Sequence, residues 1–121
     1  MKTGERQALS CFAALSQETR LRIVRMLVKA GPEGLAAGAV GEAVGASSSN
    51  VSFHLSQLEQ AGLIASRREA RSIIYAADYA ALSGLVQFLM RDCCRGHPEV
   101  CAPAVAAIAA SCPPRRKAAH A

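Results

Sequence analysis

The most constraining stretch of this chain runs from Gly45 to Leu63, GASSSNVSFHLSQLEQAGL. Serines and an asparagine open it, Val51, Leu55 and Leu58 recur at the i, i+4, i+7 spacing of one buried helical face, and Gly62 closes it. Projected at helical spacing, Ser49, Asn50, Phe53, Ser56, Gln57 and Gln60 fall on the side away from that stripe. That side is polar yet almost uncharged. A helix that merely faces water usually carries Lys and Glu there, whereas short hydroxyls and amides bond to base edges and phosphates. Phe53 on this side suits contact with a thymine methyl. A plain surface helix with a polar N-terminal cluster fits the same residues, so the flanking chain has to decide.

Upstream, Ala37 to Val44 reads as a short helix weakened by Gly38 and Gly41, each costing about 1 kcal/mol relative to Ala. Gly45 and Ala46 form the turn into the next helix, and the pair makes a helix-turn-helix. Earlier still, Thr3 to Leu15 is helical with Leu9, Phe12 and Ala13 toward the core and Cys11 beside them as helix filler. Ser16 is the expected N-cap of a second helix, with Glu18 in its first turn and Leu21, Val24, Leu27 and Val28 as its core face. Gly31 and Pro32 end it, and a small Gly-rich loop follows.

Beyond Gly62 the period changes. Leu63 and Ile64, then Ile73, Ile74 and Tyr75, flank a charged tip and predict a β-hairpin. The tip, Arg68 to Arg71, lacks the Asn-Gly or Asp-Gly of a two-residue turn, which leaves the register open. Arg67, Arg68 and Arg71 there are placed to grip flanking phosphates, or are plain solvated surface. Asp78 caps a further helix whose stripe Leu82, Leu85, Val86, Leu89 and Cys93 closes the core or forms half of a dimer seam. After CCRGHPEVC, Ala102 to Ala110 is a marginal helix, stopped by Pro113 and Pro114, and Arg115, Arg116 and Lys117 form a basic tail.

Composition narrows the classes. A length of 121 residues suits one domain, and 51 % hydrophobic against 19 % charged residues exclude a disordered chain. With only 4 % aromatics and no Trp the core must be aliphatic, as in small helical domains, and with the hairpin above the expected class is mainly α with a small β-hairpin. A net charge of +5 favours polyanionic partners. The N-terminal MKTGERQALS has no apolar signal region and no run is long enough to cross a bilayer, so a cytoplasmic protein with no membrane partner is expected. Five cysteines, an odd number, argue against a closed disulfide framework and leave buried filler, metal ligands or redox centres. No phosphate loop, catalytic Cys-His context or cofactor fingerprint points to an enzyme or an organic cofactor.

Together, ALSQETRLRIVRML, VGASSSNVSFHLSQLEQAGLI and SRREARSIIYAAD resemble the ArsR/SmtB family of winged helix-turn-helix repressors over roughly Leu9 to Met90. Ser52-Phe53-His54-Leu55 is the most specific part of that resemblance. It implies a dimeric fold of about five helices plus a wing, sitting as a homodimer on an inverted-repeat operator in double-stranded DNA, repressing, and letting go when an inducer binds. Carried onto matching positions, the DNA-binding residues are Ser48, Ser49, Asn50, Ser52, His54 and Gln57, with Arg67, Arg68 and Arg71 on the wing. By projection His54 lies between the apolar and outer faces, so a core-edge histidine bonded locally is its alternative reading.

The inducer follows from the cysteines. Where one type of arsenic sensor carries Cys-x-Cys, this chain has Ala36 and Gly38, and beyond Asp78 the last long helix offers no His for a zinc-type site. Cys93, Cys94 and Cys101 remain, with Gly96 and Pro98 in the connecting loop, and they resemble the C-terminal cysteine cluster of another branch of arsenic-responsive repressors. Adjacent helical residues point about 100° apart, so Cys93 and Cys94 converge only where the helix ends, as Arg95-Gly96 allows. Three soft thiolates suit trivalent arsenic or antimony; methylarsenite needs only two. Zinc, cadmium or lead could recruit His97 or Glu99 as a further ligand, and a thiol redox switch uses the same residues. The bland reading makes Cys93 the last core residue of its stripe and Cys101 part of the tail. The expected organisation is 1–95 for DNA binding and dimerisation, 93–112 for the inducer and 113–121 as a basic tail.

Overall fold

The computed structural model describes residues 4–90 and 98–111. Within them the chain forms α1 (Glu5–Leu15), α2 (Glu18–Ala30), β1 (Leu35–Ala36), α3 (Ala37–Val44), α4 (Ser48–Gln60), β2 (Ile64–Glu69), β3 (Ser72–Ala77), α5 (Tyr79–Met90) and α6 (Pro98–Ser111). It is a winged helix-turn-helix, mainly helical, with a small antiparallel sheet in the order β1-β3-β2. The chain divides into two compact units, 1–88 and 89–121.

In the first unit the core is assembled around α4, whose Val51, Leu55 and Leu58 are all but sealed from solvent. Ile23, Val24 and Leu27 of α2, Val40 of α3, and Leu63 and Ile64 at the start of the wing close over them. Each such side chain contributes roughly 1.5–3 kcal/mol by leaving water. The helix begins where Ser47 Oγ accepts the Asn50 N–H at 3.3 Å. It ends in paired turns, Leu63 N–H to Leu58 O at 3.1 Å and Gly62 N–H to Glu59 O at 3.0 Å, with Gly62 at φ +84° supplying the left-handed residue that this ending requires. Both ends of α4 are therefore set by local chemistry.

Two core faces differ from the expectation drawn from apolar residue size. In α1 the buried residues are Ala8, Cys11 and Ala14, while Leu9 is 62 % exposed. Small residues face inward because α1 lies close to the end of α4: Gln7 Nε2 donates to Ala61 O at 2.8 Å and the Cys11 thiol to the same oxygen at 3.5 Å. In α2, Ile23 takes the inward place expected of Leu21 and Val28, both of which are exposed. This helix has more apolar residues than one face can hold. Its N-cap is Gln17 rather than Ser16, the Gln17 Oε1 accepting the Arg20 N–H at 2.8 Å.

The hairpin has Glu69 opposite Ser72, which puts Ala70 and Arg71 alone at the turn and settles the register. Ala70 sits there at φ +56°, a conformation that suits glycine. Part of the expected Gly-rich loop is instead β1, pairing Leu35 with Tyr75 and Ala36 with Ile74. Gly34 at φ +71° makes that pairing feasible, because a Cβ there would run into the Tyr75 carbonyl oxygen.

Asp78 Oδ1 accepts the Ala81 N–H at 3.0 Å and starts α5. The stripe expected on α5 splits: Leu85 enters the core, whereas Val86 and Leu89 are exposed. In the second unit α6 starts at Pro98, where a missing N–H costs nothing, so the backbone at Cys101 is in a first helical turn and not in a connecting loop. Cys93, Cys94, the Cys101 side chain and the 113–121 tail lie outside the described residues.

Gly34→Ala is expected to lower unfolding stability in urea by about 2 kcal/mol or more, from left-handed strain plus the lost β1 pairing. Ala70→Gly is expected to raise it by about 0.5 kcal/mol, strain relief being partly offset by unfolded-chain entropy.

Candidate nucleic-acid interface

The interface is set by the rotation of α4. With its apolar stripe buried, Ser48, Ser49, Asn50, Ser52, Phe53, Ser56 and Gln60 are exposed, while His54 and Gln57 are half-buried. Successive residues are rotated by about 100°, so Ser49, Ser52, Phe53 and Ser56 form the outward face and Gln57 lies on its flank. Gln57 lines a recess of about 410 Å³ with Ser10, Ala13, Ala14, Arg20 and Gln60, toward α1 and α2. The expected readers thus divide into outward hydroxyls and two flank residues. Phe53, 56 % exposed, stands among the outward ones.

His54 is held by a residue that sequence reasoning gave no role. Arg20 Nε donates to Ala14 O at 2.7 Å and its NH1 lies 3.2 Å from His54 Nδ1, so one guanidinium joins the end of α1 to the middle of α4. The geometry requires Nδ1 of the neutral ring as acceptor. Burial and then the neighbouring Arg20 charge hold the His54 pKa below the ordinary histidine value. This is the locally bonded, core-edge histidine. No spacing signal marks Arg20, since one arginine among several on a helix looks like surface.

The wing arginines also differ among themselves. Arg67 bonds Glu69 Oε2 at 2.9 Å, Glu33 O at 2.8 Å and Pro32 O at 3.4 Å, tying the wing to the segment before β1. Arg68, next along the strand, faces the opposite side. Arg68 and Arg71 are exposed with no hydrogen-bond or ion-pair partner among the described residues, which leaves both guanidinium groups available to phosphates. On the other flank of α4, Glu59 Oε2 accepts from Ser66 Oγ at 2.8 Å and links helix to wing. Helix and wing present hydroxyls, amides and cations on one structure of fixed geometry.

Among the described residues no three His, Cys, Asp or Glu side chains are grouped to hold a metal ion, and no helix is long and apolar enough to cross a membrane. Cys11 is sealed in the core, and burial pushes its thiol up in pKa, the behaviour of filler and not of a ligand.

A histidine with a depressed pKa binds fewer protons folded than unfolded, so stability is fully present above about pH 6.5 and is lost as pH falls below it. Arg20→Gln is expected to bring the His54 pKa, followed by NMR, back toward the ordinary value and to shrink that acid loss. An unchanged His54 titration would contradict the Arg20 contact.

This arrangement has counterparts among known proteins. A helix-turn-helix domain model matches residues 15–67. The HTH-type transcriptional regulator YgaV of Escherichia coli (strain K12) is 32 % identical over 94 residues, covering 78 % of this chain and 93 % of that protein. An ArsR-like transcriptional regulator from Rhodococcus sp. RHA1 superposes with a TM-score of 0.66 at 29 % identity, over 88 % of this chain and 92 % of that one. The homodimeric winged helix-turn-helix DNA-binding domain of a possible ArsR-family regulator from Mycobacterium bovis superposes with a TM-score of 0.57 at 28 % identity, over 76 % of this chain and 85 % of that one. With a winged helix-turn-helix, an outward hydroxyl-lined reading helix and relatives that are transcriptional regulators and not enzymes, the chain belongs to the ArsR family of DNA-binding transcriptional regulators.

Proposed function

We propose that the protein is a homodimeric repressor that binds operator DNA through α4 and the wing and is released when trivalent arsenic, inorganic or methylated, or antimony binds Cys93, Cys94 and Cys101. The observation that carries the inducer is three thiols within nine positions of the sequence, separate from Cys11, which is core filler. The donor set fits: soft sulfur selects soft ions, and three thiolates complete the coordination of trivalent arsenic. Inducer binding at the chain following α5 would couple to DNA affinity by about 1–3 kcal/mol, several-fold to about a hundred-fold. Linkage then requires operator DNA to weaken arsenic binding by the same factor.

The dimer is supported by exposed apolar side chains on two helices of the first unit, Leu9 of α1 and Val86 of α5, and by the homodimeric Mycobacterium bovis neighbour. A two-fold dimer on an inverted repeat would set the two copies of α4 about 34 Å apart, one turn of DNA. Ser49, Ser52 and Ser56 would meet base edges or phosphates, and Arg68 and Arg71 the flanking backbone.

Light scattering is expected to give twice the 12.6 kDa of one chain. Val86→Asp should shift the protein toward monomer and weaken operator binding at least ten-fold, since two half-sites are no longer engaged together. In fluorescence anisotropy of a labelled operator, arsenite, antimonite or methylarsenite should release the protein, and Cys93→Ser, Cys94→Ser and Cys101→Ser should each blunt arsenite release. Release by arsenite in all three variants would overturn the site. Release by zinc, cadmium or peroxide alone would replace the metalloid with a divalent metal or a redox signal.

A further inference from the structure

Phe53 is the one side chain on the outward face of α4 that cannot make a hydrogen bond. It is 56 % exposed, and its only ring neighbour among the described residues is the adjacent His54, edge-on with centroids 5.6 Å apart. The core does not use it: Val51, Leu55 and Leu58 hold the opposite side of the helix, and among the described residues Phe53 belongs neither to the core cluster nor to the apolar residues packed against it. A buried phenylalanine would remove some 150–250 Å² from water, so leaving one outward forgoes a large stabilisation. Ser49 and Ser56, one turn before and after it, and Ser52 beside it, are all exposed hydroxyls.

We propose that Phe53 is a specificity-determining residue that reads the 5-methyl groups of thymines in the operator. This rests on the reading of α4 as the groove-entering helix. In the major groove each base edge presents donors and acceptors, and thymine alone adds a methyl group. An aromatic side chain carried among hydroxyls gains nothing from donors or acceptors, and gains burial only where a methyl meets it. The serines around it bond to neighbouring edges or phosphates without selecting for apolar surface. The preferred half-site therefore carries thymine opposite Phe53, and the hydroxyls contribute affinity with weaker sequence preference.

The test changes the DNA first and the side chain second. Duplexes are selected from a random library by the full-length wild-type protein, and the enriched thymines are then replaced one position at a time by deoxyuridine, which lacks only the methyl. Wild type should bind about four-fold more weakly when the critical thymine is replaced by deoxyuridine in one half-site and about fifteen-fold when it is replaced in both, the value of one buried methyl per half-site. Phe53→Ala should bind the thymine duplex more weakly and lose the discrimination, while Phe53→Leu should keep part of it; an unchanged thermal midpoint shows that each variant is folded. Equal wild-type affinity for both duplexes at every position would overturn the thymine contact while leaving DNA binding intact. Undiminished discrimination by Phe53→Ala would assign the methyl to another residue and overturn it too. Failure of the wild type to bind any duplex would sink the groove-reading role of α4 and this proposal together.

Discussion

The burial of one narrow apolar stripe on α4 governs everything outside it. Val51, Leu55 and Leu58 occupy a single side of a helix whose other residues are hydroxyls, amides, one aromatic, one acid and one histidine. Once those three side chains are in the core, the helix has no rotational freedom left, and the identity of the outward residues follows. A one-residue slip would turn the stripe by about 100° and bring serines into the core without partners, at a cost of a few kcal/mol for each unpaired polar group. The composition of the outward face is thus a by-product of packing.

Side-chain ties then hold the neighbours of α4 in place. Arg20 bridges the end of α1 to His54, Gln7 and Cys11 hold α1 against the Ala61 carbonyl, and Glu59 joins the helix to Ser66 on the wing. Arg67 anchors the wing to the segment before β1 through two backbone carbonyls. None of these residues needs to touch DNA to matter. They tie α1 and the wing to α4 through side chains, so the placement of α4 depends on both neighbours.

How much of this was legible depends on how local the signal was. The α4 stripe, its serine-rich opening and its Gly62 ending were readable because each is written within one or two turns of chain. The face of α1 was not, because Ala8, Cys11 and Ala14 face inward for close approach to another helix, and a reading ranked by apolar size favours Leu9. β1 was missed since two residues carry no period; Gly34 was its trace, and only the Tyr75 carbonyl explains the need for it. Arg67 looked like its neighbours Arg68 and Arg71 in sequence, and the partners that set it apart lie more than thirty residues away. Family resemblance added the expected operator, whereas the α5 stripe left core closure and a dimer seam as alternatives.

On this reading, packing leaves one defined face of α4 to meet DNA. Backbone amide NMR of the protein, recorded free and saturated with a selected operator duplex, tests it most directly. The account predicts that signals of Ser49, Ser52, Phe53 and Ser56, with Arg68 and Arg71, are those attenuated by saturation transfer from the DNA, while Leu55 and Leu58 are untouched. Attenuation centred on α1, α2 or β1, with the outward residues of α4 unaffected, would contradict it.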